Sequence, residues 1–91
     1  MDSRDLEYAA AIARTGSFSQ AAQLLFISQP ALSQYIRRLE KNLGTVLFYR
    51  SRTRVELSPA GKYYVKKGEA ILRQMRELEQ TMHHWQQEEQ R

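Results

Sequence analysis

Four punctuation points divide this chain, and they leave little choice of fold. Gly16 and Gly44 sit where helices end, because glycine reaches the left-handed conformation that a helix C-terminus favours. Ser28-Gln29-Pro30 and Ser58-Pro59 are helix starts: serine accepts from free N–H groups, and proline in the first turn sacrifices no bond. Spread over 91 residues, these signals predict three short helices, an extended piece and one long final helix. The length suits one small domain with a thin stability margin.

The segments between follow helical or strand periods. Leu6, Ala9, Ala10 and Ala13 predict a first helix from about Arg4 to Thr15. Ser19 is the expected cap of a second, with Gln20 to Leu25 following, where Ala21 and Ala22 let another helix approach closely. In the third, Leu32, Ile36, Leu39 and Leu43 form one apolar stripe, ended by Gly44. Thr45 to Arg50 is β-branched and aromatic, and Arg54-Val55-Glu56-Leu57 alternates. With Ser51-Arg52-Thr53 between them they predict a hairpin with a basic tip, Val55 and Leu57 facing inward. Phe18, Leu47 and Phe48 read as core. From Pro59 to about Gln90 no further proline occurs, which predicts a helix roughly 45 Å long.

Charge is distributed unevenly. Net charge is +4. Between Ser28 and Lys67 lie Arg37, Arg38, Lys41, Arg50, Arg52, Arg54, Lys62, Lys66 and Lys67 against only Glu40 and Glu56. The tail is mildly acidic, with Glu69, Glu77, Glu79, Glu88 and Glu89 against Arg73, Arg76 and Arg91. A basic block inside ordered segments suits a polyanion partner, although charge alone also fits a solvated face. Cysteine is absent, which excludes disulfides, thiolate metal sites and thiol catalysis. His83 and His84 are adjacent and point to different sides of a helix, so they do not make a metal site. There is no phosphate loop or nucleophile elbow, and an enzyme is not expected. The charged N-terminus is no signal peptide, and apolar runs are too short to span a membrane, so a soluble protein is expected, compatible with a cytoplasmic home.

On the third helix, Gln29, Ser33, Gln34 and Arg37 lie largely off the apolar stripe, with Pro30 beside them and Ser28 at the cap. Gln suits an adenine edge, Arg grips guanine with two bonds, and Ser serves either role. Taken alone, that face also fits an ordinary polar surface. The whole pattern is more specific. Gly16-Ser17-Phe18-Ser19-Gln20-Ala21-Ala22, Leu24-Leu25, Ser28-Gln29-Pro30-Ala31-Leu32-Ser33, Ile36-Arg37-Arg38-Leu39-Glu40, Leu43-Gly44, Leu47-Phe48-Tyr49-Arg50 and Leu57-Ser58-Pro59-Ala60-Gly61 resemble, in order and spacing, the N-terminal domain of LysR-type transcriptional regulators.

That resemblance implies a mainly α fold: a winged helix-turn-helix, with a three-helix core and a two-stranded β-wing, followed by a long linker helix. It implies a DNA-binding domain over 1–58 and a linker or dimerisation helix over 59–91. The recognition helix, about 28–43, would enter the major groove of double-stranded DNA. Gln29, Pro30, Ser33 and Gln34 would lie at the bases, and the wing arginines Arg50, Arg52 and Arg54 at phosphates or the minor groove. Many relatives carry Arg where this chain has Gln34, which turns that position from guanine reading to an adenine-compatible or adaptable contact. Arg52 and Arg54 are expected as DNA contacts, Arg50 as a contact or a structural ion pair. Ala9 replaces a bulky residue of many relatives and is read as core packing.

In the tail, Tyr64, Gly68, Ile71, Met75, Leu78, Met82 and Trp85 recur at steps of four and three, a heptad stripe that one helix cannot bury alone. Tyr63, Tyr64 and Val65 are expected to rest on the chain's own domain. Ile71, Met75, Leu78, Met82 and Trp85 are expected to meet a second copy, antiparallel as the resemblance implies. Such a homodimer would read an inverted repeat. The resemblance further implies a small-molecule effector domain in a longer protein of which this is a fragment, RNA polymerase as a candidate partner of that protein, and no cofactor in the fragment itself. A coiled-coil adaptor and a sequence-neutral architectural DNA binder are the rival readings.

Overall fold

In a computed structural model, which describes residues 1–89, the chain runs α1 (Ser3–Thr15), α2 (Phe18–Leu25), α3 (Gln29–Leu43), β1 (Phe48–Arg50), β2 (Val55–Leu57) and α4 (Pro59–Glu89). Gln90 and Arg91, where the final helix was expected to end, lie outside the described residues.

Asp2 begins α1 by accepting from the N–H groups of Arg4 and Asp5, and the Asp5 side chain accepts back from Asp2 N–H. Gly16 closes α1 at φ 69 and Gly44 closes α3 at φ 74, both left-handed. The second helix starts earlier than expected. Ser17, not Ser19, is its cap, accepting from Gln20 N–H at 3.1 Å. This leaves Phe18 as the first helical residue, where its ring enters the core. Ser28 caps α3 by accepting from Ala31 N–H.

The core lies where α1, α2 and α3 cross beneath the hairpin. Ile12, Leu32, Ile36 and Leu47 are fully enclosed, and Ala9, Ala21 and Ala22 provide the close approaches. Phe18 and Phe48 meet edge to face, 6.1 Å between centroids. Of the apolar stripe on α3, Leu43 is partly exposed.

The strands are shorter than expected. They pair antiparallel, Phe48 with Leu57, Tyr49 with Glu56 and Arg50 with Val55. Thr45 to Leu47 stay outside β1 because their backbone groups are engaged elsewhere: Thr45 N–H with Glu40 C=O, Leu47 N–H with the Glu40 side chain, and Leu47 C=O with Ser58 N–H. Val55 and Leu57 do pack against the core. Gly61 lies against Leu47 C=O, where a Cβ would come within 2.0 Å of the oxygen.

The long helix has two faces. Gly61, Val65, Gly68 and Leu72 are buried on the chain's own domain. Gly68 faces Leu6 of α1, with a built Cβ 3.0 Å from Leu6 Cδ2. It therefore belongs to this inner face and not to a seam with a second helix. Tyr63, expected to rest on the domain, is 70% exposed, because it lies on the far side of α4 from Val65 and Gly68. Tyr64 packs at the edge of the core.

Candidate nucleic-acid interface

α3 offers its N-terminal half to solvent. Gln29, Pro30, Gln34 and Arg37 are exposed, as is Ser28, whose hydroxyl is occupied by its capping bond. Ser33 departs from the expected open face. It is 6% exposed and accepts a 3.0 Å bond from Gln29 Nε2. The spacing of four places it one turn below Gln29, so it steadies that side chain from beneath.

The hairpin stands beside this helix, anchored to the α1–α2 turn by Val55 N–H bonding to Gly16 C=O. Its tip closes through Ser51, whose hydroxyl donates to Arg54 C=O and accepts from Arg54 N–H. Strand alternation then separates the three wing arginines. Arg50 shares a face with Phe48, and its guanidinium stacks on the Phe18 ring, 3.9 Å from the centroid. It is thus a stacked cation and not the ion pair that was the structural alternative. Burial, and next the Arg37 charge, hold this guanidinium below the usual arginine value, with Glu40 acting in opposition. Arg54 falls on the other face, pairing with Glu56 at 2.8 Å. Both groups are well exposed, so this pair adds little stability and opens readily to a better anion. Arg52, at the tip, is exposed.

Between wing and helices lies an open cleft of about 290 Å³ lined by Gly16 to Ser19, Gln29 and Arg50 to Val55. It brings together residues that sequence reasoning treated separately: Gln29 of α3, all three wing arginines and the N-terminus of α2. Ser17 and Ser19 at that terminus were missed as lining residues. Their signal was the helix start itself, which presents free N–H groups to an anion. The two acids of the basic middle are both occupied, Glu56 by Arg54 and Glu40 by the N–H groups of Leu47 and Phe48 at 2.6 and 3.1 Å. Among the described residues there is no cluster of metal-ligating side chains and no helix long and apolar enough to cross a membrane.

A three-helix core whose third helix exposes its N-terminal half, a basic hairpin beside it and a long trailing helix define a winged helix-turn-helix DNA-binding domain. Residues 3–62 match the family model described as bacterial regulatory helix-turn-helix protein, lysR family, and the chain belongs to that family. Over 82 residues it is 48% identical to the uncharacterised HTH-type transcriptional regulator YcgK of Bacillus subtilis, covering 90% of this chain and 25% of that one. The CbnR DNA-binding domain in complex with DNA superposes with a TM-score of 0.85 at 32% identity, over 91% of this chain and 95% of that one. The BenM DNA-binding domain bound to benA site 1 DNA gives 0.88 at 31% identity, over 92% and 94%. The family is one of regulators, not enzymes. The chain spans a quarter to a half of the length of the first curated relatives it matches.

Proposed function

We propose that this domain binds double-stranded DNA sequence-specifically, as a homodimer on an inverted repeat. α3 lies in the major groove and the wing on phosphates or the minor groove. The observation that carries the reading is the cleft that joins Gln29 to Arg50, Arg52 and Arg54. In one place it offers a base-reading side chain, three cations and a helix N-terminus, which is what a groove edge and its flanking phosphates require. Gln29, Pro30, Gln34 and Arg37 face the bases, with Gln34 suited to adenine and Arg37 to guanine or phosphate. Ser33 acts through Gln29. Arg50 and Arg52 take phosphates, and Arg54 joins them when its pair with Glu56 opens.

Pairing runs through α4. Ile71, Met75, Leu78, Met82 and Trp85 are each between 39% and 62% exposed and share one face. Read backwards about Leu78 the stripe matches itself, Ile71 against Trp85 and Met75 against Met82, as an antiparallel two-fold seam requires. Charge supports the same direction. From Pro59 to Arg76, α4 carries Lys62, Lys66, Lys67, Arg73 and Arg76 against Glu69, and from Glu77 to Glu89 its acids are Glu77, Glu79, Glu88 and Glu89. About Leu78, antiparallel pairing brings Lys66 and Lys67 beside Glu88 and Glu89 of the second copy and sets only Glu77 and Glu79 acid against acid near the axis, whereas parallel pairing sets like against like along the whole helix.

In the longer regulators of this family the domain would act beside a small-molecule effector domain, with RNA polymerase as a partner of the whole protein in the cytoplasm. The domain itself is proposed to need no cofactor. The test is selection of bound duplexes from a random pool, followed by anisotropy over a salt series. An inverted repeat with a steep salt slope is expected. Binding with no recovered motif would leave a sequence-neutral architectural protein. No binding at low salt would favour the coiled-coil adaptor. Arg52→Ala should weaken all duplexes and reduce the salt slope by about one.

A further inference from the structure

We infer that Glu40 is a positioning residue of the DNA-binding surface: from α3 it fixes the root of the wing, so that reading helix and wing arginines meet one duplex together. The inference rests on the DNA reading above.

Glu40 sits one turn before the end of α3. Its backbone C=O accepts from Gly44 and Thr45 N–H, at 2.9 and 3.2 Å. Its Oε2 accepts from Leu47 N–H at 2.6 Å and Phe48 N–H at 3.1 Å. One residue therefore receives four of the five N–H groups between Gly44 and Phe48. Leu47 and Phe48 are buried, so water cannot replace the carboxylate there, and an unmet N–H would be costly. β1 begins at Phe48, and Arg50 follows two residues on, on the same face. The angle at which Arg50 reaches Phe18 and the cleft is thus set by where Glu40 holds the strand's start. From the opposite side, Ser58 N–H bonds to Leu47 C=O at 2.9 Å and Ser58 Oγ donates to Val46 C=O at 2.6 Å. The wing root is held between the reading helix and the long helix.

Electrostatics alone would argue against an acid here. A carboxylate near Arg37 and Arg50 subtracts from attraction to a polyanion. Engagement with two buried N–H groups explains its place.

The test compares Glu40→Asp with Glu40→Gln. The first keeps the charge but draws the carboxylate back by one methylene. The second keeps the reach and one acceptor oxygen, which suffices because both bonds go to a single oxygen, but drops the charge. Amide exchange at Leu47 and Phe48 and DNA affinity over a salt series are measured for each. Glu40→Asp is expected to speed both amides and weaken DNA binding, each roughly tenfold, the scale of a buried N–H left without its acceptor. Glu40→Gln is expected to keep the protection and bind as tightly as the parent or tighter. If Glu40→Asp binds like the parent, with or without faster exchange, the inference is overturned. A loss confined to Glu40→Gln overturns it too, because charge and not reach would then be what matters. A parent chain that binds no duplex sinks the DNA reading instead, and the exchange data then decide the clamp by themselves.

Discussion

The Arg50 guanidinium carbon lies 3.9 Å from the centroid of the Phe18 ring, so one contact ties the wing to the first residue of α2. The ring offers a face to the cation and stands nearly perpendicular to Phe48. The ring holds the cation at the edge of the cleft, while the Arg37 charge opposes it and the Glu40 charge favours it.

A double-mutant cycle checks this contact. Phe18→Leu keeps most of the apolar volume and removes the ring face; Arg50→Ala removes the cation. Denaturant melts of the single and double variants should give a coupling of about 0.5–1 kcal/mol. Each single variant should also lose DNA affinity. Coupling indistinguishable from zero would show that the stack contributes nothing.

Two glycines of α4 should respond very differently to alanine. At Gly61 a Cβ meets the backbone oxygen of Leu47 at 2.0 Å, and neither α4 nor the wing root can give way cheaply. Gly61→Ala is expected to cost about 3 kcal/mol or more. At Gly68 the neighbour is the end of the Leu6 side chain at 3.0 Å, which can rotate. There the better helix propensity of alanine offsets the crowding, and Gly68→Ala should fall within about 1 kcal/mol of neutral. Urea melts of both variants decide it; equal losses would contradict the distinction.

How far the sequence was legible depended on the kind of signal. Gly16, Ser28, Gly44 and Ser58-Pro59 act locally, through their own backbone angles and caps, and these boundaries were readable. Ser17 and Ser19 offer the same chemistry two residues apart, and burial of Phe18, a tertiary matter, decides between them. Gly68 fitted a heptad as well as a domain contact, because a helix can serve two partners on adjacent faces. Leu72, one residue beyond Ile71, marks the inner face and was not singled out. Of the candidate site, the exposure of Gln29, Pro30, Gln34 and Arg37 and the placement of three arginines on the wing were legible by type and position. The roles of Ser33 and Glu40 were not, since each depends on a bond to a residue placed by the fold.

Alkaline pH should destabilise the domain through two tyrosines. Burial, and then the Asp5 and Asp2 charges, push Tyr64 from 10.0 up to about 12. Burial, and then its hydrogen bond to Asp5, push Tyr35 up as well. Above pH 10 the unfolded chain gives up these protons before the folded one, so the unfolded state binds fewer protons and stability falls as pH rises. The contribution is fully present below pH 10 and is lost as pH climbs through about 12. Urea melts at pH 9, 10 and 11 should give falling midpoints, with a shallower fall in Tyr35→Phe. A flat profile across that range would rule out the linkage.

Leu78 lies at the centre of the proposed seam, where two-fold symmetry sets it against its own copy. It is 62% exposed, beyond the reach of the compact domain. Leu78→Glu would place two carboxylates face to face across the seam while leaving the folded domain intact. Sedimentation equilibrium should then give a monomer at concentrations where the parent is a dimer, with the urea midpoint of the domain little changed. Binding to an inverted repeat should drop by about 10²-fold as the linked half-sites lose their effective concentration, while binding to a single half-site stays the same. Trp85 supplies an independent probe, being the single tryptophan and 58% exposed in one chain. Its emission should shift to the red in Leu78→Glu as it loses the cover of the partner's Ile71. A dimer that survives Leu78→Glu with unshifted emission would move the interface off this face of α4.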